Sequence, residues 1–330
     1  MPGDAFLFAG NDADCTAVAA VPAHSSSITM PLIRNIITIF LLSLTSFTAS
    51  GQEFGTHWIQ CPTATSRQGV LFRKMTVGKE TPDFAFLEVA SAGYVDVYVN
   101  ERNIDRYCPV VSNTAPITVR CYDVTPYLRP DTNVVAVEYF PRDTMANGRQ
   151  LSVSVWGKND DGTPISLQTD DSWLCMPSQR RLLNSDEELQ DATAYTDGWK
   201  STVFAQALWT RAAAFTGDKT EDMELISEYN LPYKPSFITD YNYFDEDKQG
   251  TWYDFGTAIY GYFRVTLRGP RRGDILHIGP LTYICNGNVD EQAFTKFIPR
   301  TIRRLKAWGE GGYNREWIQF FQAIGVGPQQ

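Results

Sequence analysis

The sequence predicts an all-β protein made of two tandem antiparallel β-sandwich or jelly-roll domains. Short runs rich in β-branched and aromatic residues recur along most of the chain. Clusters of Asn, Asp, Gly and Pro separate these runs and supply the turns between them. No repeat with a period of about 20 to 50 residues is present, so the sequence does not indicate a solenoid or a propeller.

The first block of predicted strands begins at residue 84. Within it, residues 93–99 alternate valines on one face with Tyr94, Asp96 and Tyr98 on the other, which is the pattern of a strand with one buried face. Turn clusters at residues 100–103, 129–133 and 158–162 end successive runs. The predicted strands of this block cover residues 84–89, 93–99, 117–122, 134–140, 151–156 and 165–168. Short strands at this spacing predict a sandwich or a jelly roll.

A middle stretch interrupts the strands. Ser185 precedes an acidic run in which Glu188 lies three residues later, and this spacing predicts a short capped helix. The polar residues 217–224 and the prolines Pro232 and Pro235 predict a connection between domains, because proline interrupts both helices and strand ladders. We therefore predict one domain at residues 52–235 and a second at residues 236–330.

The second block of strands begins at Trp252. The predicted strands cover residues 252–256, 261–268, 275–278 and 315–326. The last of them is rich in large apolar side chains, including Trp317, Phe320 and Phe321. Because an uncovered apolar patch usually marks an interface, we expect self-association or a protein partner at residues 317–326.

Met30 opens a segment typical of a secretion signal. Arg34 precedes an apolar run at residues 36–47, and Ala49-Ser50-Gly51 offers a small-residue cleavage site before Gln52. Residues 30–51 are thus predicted to be a signal peptide, and residues 1–29 an extension from a start codon assigned too early. The expected location is secreted or periplasmic, with no membrane span in the mature chain. The alternative is a cytoplasmic extension followed by a membrane anchor.

Charge and cysteine content narrow the class of protein. The formal net charge is −9 and stays negative without the leader, which argues against nucleic acid and anionic membranes as partners. No CxxC spacing occurs, and the number of cysteines after the leader is odd, so neither a zinc site nor a dense disulfide framework is indicated. One or two disulfides and buried free thiols both remain open. The cysteines concerned are Cys61, Cys108, Cys121, Cys175 and Cys285.

Several motifs together resemble the bacterial α-L-rhamnosidases. In the first block these are Trp58-Ile59, Leu71-Phe72-Arg73-Lys74, Tyr98-Val99-Asn100, residues 122–130, residues 133–137 and residues 166–173. In the second block they are residues 253–256, Gly261-Tyr262, Arg264-Val265, Arg268-Gly269-Pro270 and residues 288–294. By this resemblance, residues 52–235 would be the galactose-binding-like N-terminal jelly roll of the family. Residues 236–330 would be its concanavalin-like sandwich.

The resemblance also implies a chain without the catalytic residues of the family. Rhamnosidases hydrolyse terminal rhamnose with carboxylates on a helical barrel, which would follow the second sandwich and has no counterpart in this sequence. Adjacent acidic pairs at residues 170–171, 187–188 and 290–291 do not replace it. Neighbouring residues on a strand point to opposite faces, whereas glycoside hydrolysis needs two carboxyl groups that face each other. We predict no catalytic residue and no cofactor.

The sequence gives weaker support for a catalytic histidine or a metal site. His57 and His277 are the histidines that follow the leader, and His277 falls in an alternating strand, where we expect a satisfied or surface side chain. Residues 159–162 and 245–247 carry oxygen ligands that suit calcium, but they also have the composition of solvated turns. We predict no metal site.

Sugar binding suits the sequence better. Aromatic rings cover the apolar face of a pyranose, and polar side chains bind its hydroxyl groups. The candidate sugar-binding residues are Tyr241, Tyr243, Trp173 and Asp170. The loop Tyr241-Asn242-Tyr243 is the preferred exposed pair, because a tryptophan beside a strand, such as Trp173, more often packs in a core.

Three functional hypotheses follow. The first is a secreted carbohydrate-associated module without hydrolytic activity, with a rhamnose-containing glycan among its candidate ligands. The second is the front fragment of a split or truncated α-L-rhamnosidase that acts only with a separate barrel. The third is a structural interaction domain with no ligand.

Overall fold

Strands make up most of the structure, and the predicted all-β fold class is confirmed. The structure is a computed structural model that describes residues 57–105, 117–142, 150–215, 223–226 and 234–327. The predicted extension and signal peptide lie outside the described residues, as does Cys108. Among the described residues, no helix has the length and apolar composition needed to cross a membrane.

The first half of the chain contributes fourteen short strands in the described residues. They are β1 (Ile59–Gln60), β2 (Gln68–Val77), β3 (Pro82–Ser91), β4 (Tyr94–Val99), β5 (Arg102–Asn103), β6 (Ile117–Asp123), β7 (Thr132–Phe140), β8 (Leu151–Asn159), β9 (Pro164–Gln168), β10 (Leu174–Leu182), β11 (Glu188–Asp191), β12 (Thr210–Arg211), β13 (Ala213–Ala214) and β14 (Met223–Ile226). Single 3₁₀ turns occur at Thr125–Tyr127, Ala192–Ala194 and Gln206–Leu208.

Two sheets face each other around the core of this half. The first sheet has the order β13-β1-β8-β3-β6-β14, with β9 beside β8. The facing sheet contains β10, β2, β7, β4 and β5 in that order. As the alternation predicts, Val95, Val97 and Val99 of β4 point into the core, where they meet Leu87 of β3 and Val153 of β8. Burial of these branched side chains between two pleated faces is what holds a sandwich together.

The second half of the chain contributes eight further strands in the described residues. They are β15 (Lys234–Asp240), β16 (Tyr243–Glu246), β17 (Thr251–Leu267), β18 (Ile275–Ile278), β19 (Leu281–Ile284), β20 (Glu291–Phe294), β21 (Arg300–Glu310) and β22 (Ile318–Gly327), with a 3₁₀ turn at Arg315–Trp317 before the last. All of them extend the second sheet.

The second sheet runs through both halves of the chain. Its order is β15-β22-β17-β21-β18-β19-β11-β10-β2-β7-β4-β5, and the connection is a parallel pair between β11 and β19. All described residues belong to one compact unit. The domain limits 52–235 and 236–330 therefore stay a prediction. The predicted antiparallel pairing has two parallel exceptions among the described strands, β11 with β19 and β6 with β14.

Strand β17 organises the second half. It has 17 residues and pairs with β16, β20, β21 and β22. Its register with β21 shifts between Asp254 and Ile259, where Gly256 has a φ of +76°. Glycine adopts this backbone conformation without the steric cost that a Cβ atom would bring. The bend there lets one strand serve two sets of neighbours.

A second core lies against β17. Phe321 of β22 is fully buried in it, with its ring 4.9 Å from Tyr253 and 5.7 Å from Phe263. The expectation that Phe321 belongs to an exposed patch is therefore wrong. Alternation along β22 directs Phe321 inward and Phe320 outward, and Phe320 is 59% exposed.

The predicted helix at residues 185–192 is also wrong. Glu188 and Gln190 are buried on β11, where the Arg180 guanidinium donates to both side chains. Because β11 pairs with β10 on one side and β19 on the other, two ladders outweigh the local capping signal. The turn before β11 is capped instead by the Asn184 side chain, which accepts from the backbone N–H of Asp186 and Glu187.

Pro235 lies inside a strand rather than a linker. It belongs to β15, which pairs with β22 and has a register shift between Pro235 and Phe237. Strand β15 ends the sheet order, and an edge strand tolerates proline because one side of it needs no ladder hydrogen bond. The described cysteines Cys61, Cys175 and Cys285 are buried free thiols, and Cys121 lies on β6.

Candidate functional site

An open groove lies between the β16–β17 turn and the connection from β21 to β22. Its volume is about 860 Å³, and it is lined by residues 246–251, 308–309 and 312–316. We call it the Trp308 groove. One wall is the turn between the paired strands β16 and β17. The other is the connection from β21 to β22, two strands that both pair with β17.

Trp308 offers a flat ring at this groove. It lies on β21 opposite His277 of β18, and the two rings stack with centroids 4.0 Å apart and an angle of 16° between their planes. The Trp308 side chain stays 37% exposed. His277 therefore supports one face of the indole, which holds the ring in a single orientation.

Two hydrogen bonds hold His277 in turn. Nε2 lies 2.8 Å from a Glu310 carboxylate oxygen, and Nδ1 lies 3.1 Å from the Thr282 hydroxyl. An ionised carboxylate can only accept, so Nε2 donates to Glu310. The expectation of a satisfied strand histidine is confirmed. The sequence did not predict that His277 also stacks on Trp308.

Gly250 lies on the other side of Trp308. The next residue, Thr251, pairs with Ala307, which places Gly250 beside Trp308. A Cβ atom on Gly250 would come within 2.8 Å of the Trp308 Cβ and 2.2 Å of the Ala307 carbonyl oxygen. Because residue 250 has no side chain, its backbone can lie close to Trp308.

Asp247 orders the first wall of the groove. Its carboxylate accepts from Lys306 Nζ at 2.8 Å, from Trp252 Nε1 at 3.0 Å and from the backbone N–H groups of Gln249 and Gly250. The hydrogen bond from Lys306 lowers the pKa of Asp247 most, and the backbone and indole donors add to it. The carboxylate is thus held ionised while part of it faces solvent.

The opposite wall carries polar groups from the segment before β22. Asn314 accepts from the backbone N–H of Glu316, and the Arg315 guanidinium lies 3.5 Å from Glu246. Arg315 also covers the Phe244 ring at 4.6 Å. The groove is lined by both acidic and basic side chains, which suits an uncharged ligand with many hydroxyl groups.

Tyr241 and Tyr243 are not a pair of exposed rings. Tyr243 is 54% exposed, and its hydroxyl donates to Asp254 at 2.8 Å. Tyr241 is partly buried and packs edge-on against Tyr253, with ring centroids 4.9 Å apart. Tyr243 begins β16, and the last residue of that strand, Glu246, lines the Trp308 groove.

Trp173 and Asp170 lie in the first half of the chain. Trp173 is fully buried in the first core and donates its Nε1–H to the Gln168 carbonyl, so it is a packing residue and offers no face to a sugar. Asp170 accepts from the backbone N–H of Ser172 and lies 3.9 Å from Lys74. The four candidates therefore do not form one site.

The acidic clusters are occupied by partners within the chain. Asp245 pairs with Arg304 at 3.2 Å, and Asp290 pairs with Arg268 at 2.8 Å. Glu291 accepts from the Tyr283 hydroxyl at 2.9 Å. Among the described residues, no group of three or more His, Cys, Asp or Glu side chains is placed to hold a metal ion.

Sequence reasoning missed Trp308 and Gly250. Residues 300–310 were not predicted as a strand, because four basic side chains fall within them. Without β21, nothing in the sequence places Trp308 opposite His277. The one local signal is the Trp308-Gly309 pair next to the glycines at 311 and 312, which marks a turn beside an aromatic ring.

The fold and the groove define a β-sandwich protein with an open, aromatic-bearing surface groove. No protein-family model and no curated protein sequence matches the chain. Among solved structures, it is similar to an α-L-rhamnosidase from Dictyoglumus thermophilum, with a TM-score of 0.69 and 16% identity over 83% of this chain and 35% of that one. An α-L-rhamnosidase from Aspergillus terreus gives a TM-score of 0.68 and 16% identity over 83% and 36%.

A third similar structure is the Streptomyces avermitilis α-L-rhamnosidase complexed with L-rhamnose. Its TM-score is 0.67 and its identity 15%, over 80% of this chain and 29% of that one. The predicted resemblance to α-L-rhamnosidases is thus confirmed at the level of the fold. The chain spans about a third of the length of these enzymes.

Proposed function

We propose that the chain is a carbohydrate-binding module without hydrolytic activity and that the Trp308 groove is its binding site. The observation that carries the proposal is the partly exposed Trp308 indole, which stacks on His277 and has a residue without a side chain, Gly250, as its neighbour beside β17. A ring held in this way can stack against the apolar face of a pyranose with little loss of conformational entropy. The side chains of Asp247, Gln249 and Asn314 would bind the hydroxyl groups.

The electrostatics of the groove favour binding over hydrolysis. A general acid for glycoside cleavage needs a raised pKa, whereas the hydrogen bond from Lys306 lowers the pKa of Asp247. Glu246 pairs with the Arg315 guanidinium. Asp247 is thus suited to accept hydrogen bonds from sugar hydroxyls and not to donate a proton.

Rhamnose-containing glycans are the first ligands to test. One of the similar structures holds L-rhamnose, and a 6-deoxy sugar adds a methyl group to the apolar surface that an indole can cover. We place this function outside the cytoplasm, after removal of residues 30–51. N-terminal sequencing of exported protein should start at or near Gln52, and recovery of protein that begins at Met1 would contradict export.

The test is calorimetric titration of the full chain with L-rhamnose and with rhamnose-containing oligosaccharides. Trp308→Ala should weaken binding by about tenfold or more, the effect of losing an aromatic contact of roughly 1.5 kcal/mol. Phe84→Ala is the matched control, since Phe84 is 38% exposed and lies outside the groove. Equal affinities of wild type and Trp308→Ala for every sugar bound would refute the groove as the site.

A second candidate function is part of a split α-L-rhamnosidase. Its support is that the chain aligns with about a third of each similar enzyme. In that case the full chain alone should not release rhamnose from an aryl rhamnoside, and activity should appear when a separately encoded helical barrel is added. Turnover by the purified chain alone would contradict both candidates.

A further inference from the structure

A second cavity lies where strands from the two halves of the chain meet. Its volume is about 530 Å³, and it is lined from β4 and β7 on one side and from β19 and β20 on the other. We call it the cleft. Its size falls within the range of about 300–1,000 Å³ typical of small-molecule sites. It shares no lining residue with the Trp308 groove.

Lys296 lies in the cleft and forms ion pairs with two carboxylates of the protein. Its Nζ is 2.5 Å from Asp96 and 2.6 Å from Glu138. Burial alone lowers the pKa of Lys296, but the two carboxylates outweigh burial and raise it above its ordinary value. The charge of Lys296 is therefore balanced within the protein.

The other charged groups of the cleft are also satisfied. Arg180 pairs with Glu188 at 3.4 Å and donates to the Phe294 carbonyl at 2.9 Å. Asp290 has its ion pair with Arg268, and Glu291 accepts from Tyr283 and from the backbone N–H of Asn286. None of these groups requires a ligand.

Lys200 differs from them. Its Nζ lies 4.3 Å from the centroid of the Tyr98 ring and 5.5 Å from that of Trp199. Among the residues that the structure describes, no carboxylate forms an ion pair with it; Asp96, Glu138 and Glu101 act on it only through space. Burial lowers the pKa of Lys200, and the charge of Lys296 adds to this, in contrast to the raised pKa of Lys296.

We infer that the cleft is a second ligand site, that it takes a carboxylate-bearing sugar, and that the carboxylate pairs with Lys200. A ligand carboxylate supplies the counterion that Lys200 lacks, and a charge-assisted hydrogen bond is stronger than a neutral one. Tyr195 is 52% exposed at the cleft and offers an apolar wall. Amide side chains that can bind hydroxyl groups line the rest: Gln179, Asn286, Asn288 and Gln292.

The experiment compares methyl β-glucuronide with methyl β-glucoside by calorimetric titration of the full chain. These probes differ in one carboxylate, so their affinity ratio measures the contribution of the charge. We expect the glucuronide to bind about tenfold or more tightly, as for one hydrogen bond to a charged group. Lys200→Met should abolish this ratio, while Lys158→Met, at an exposed lysine on β8, should preserve it.

Two further variants keep the result decisive. Tyr195→Ala, at a half-exposed ring, should weaken both glycosides by similar factors and leave their ratio unchanged. Trp308→Ala should leave glucuronide binding intact, which separates failure of the cleft from failure of the groove. Equal affinity for the two glycosides, or an unchanged ratio in folded Lys200→Met, would overturn the inference. Displacement of the glucuronide by inorganic phosphate at equal affinity would do the same, since it indicates a general anion site.

Discussion

A buried lysine forms ion pairs that connect the two halves of the chain. Lys296, just after β20, reaches Asp96 on β4 and Glu138 on β7, and the Tyr98 hydroxyl donates to Asp96 at 2.5 Å. Such a group stabilises a structure only while every partner is present, because each isolated charge has lost its water. The connection between the halves therefore depends strongly on Lys296.

Lys296→Met should destabilise the protein by about 3 kcal/mol, since it leaves two largely buried carboxylates without a cation. Arg268→Met is the control, because Arg268 and Asp290 form an exposed pair whose loss should cost less than about 1 kcal/mol. Denaturant unfolding followed by tryptophan fluorescence measures both. If both variants lost the same unfolding free energy, Lys296 would not form a buried ion pair with Asp96 and Glu138.

Residue roles were harder to predict from the sequence than residue environments. The alternation in β4 correctly placed Val95, Val97 and Val99 in the core. The same alternation put Asp96 on the other face but could not show that Lys296, about 200 positions later, forms an ion pair with it. Trp308 was missed for the same reason, because its partner His277 lies on another strand.

The bend in β17 shows what one backbone position does for a whole element. Gly256 has a φ of +76°, and a Cβ atom there would lie 2.3 Å from the Asn242 side-chain nitrogen. The bend places the β16–β17 hairpin, and with it Glu246 and Asp247, at the edge of the Trp308 groove. A change in this bend would therefore move the hairpin and change the shape of the groove.

Gly256→Ala should destabilise the protein by about 1–2 kcal/mol through backbone strain, with an added steric cost from Asn242. Gly273→Ala is the matched control, because Gly273 has a φ of +92° but a Cβ atom there would have no neighbouring atom within 4 Å. The difference in unfolding free energy between the two variants measures the contact with Asn242. A larger loss in Gly273→Ala would contradict this account.

Elements with clear period-2 patterns were the predictable ones. Strands β3, β4 and β6 to β9 all lie where the sequence placed them. Strand β11 was assigned to a helix because a local capping signal outweighed four residues of weak alternation, and only pairing with β10 and β19 makes it a strand. Strand β21 was missed because its outer face is basic. Arg304 pairs there with Asp245 of β16, and Lys306 pairs with Asp247 of the following turn.

Over the whole molecule, one continuous sheet ends in an edge with apolar side chains. Strand β15 ends the described sheet order, and Phe237 and Ile238 on it are about half exposed. Ile238 pairs with the partly buried Ile324 of β22, which pairs with the buried Tyr262 of β17, so Ile238 is the exposed end of an apolar row across three strands. Phe320 extends this surface along β22. An exposed edge with these side chains favours association with another chain.

We expect the full chain to self-associate through this surface, with Phe320 and not Phe321 as the contact residue. Phe320→Ser should change the unfolding free energy by no more than about 0.5 kcal/mol and shift the protein toward monomer. Phe321→Ser should instead cost about 3–5 kcal/mol, because it removes a buried ring and buries a hydroxyl. Sedimentation velocity at tens of micromolar, with circular dichroism on the same samples, separates the two effects. A monomeric wild type at that concentration would show that the surface has no affinity for a second copy.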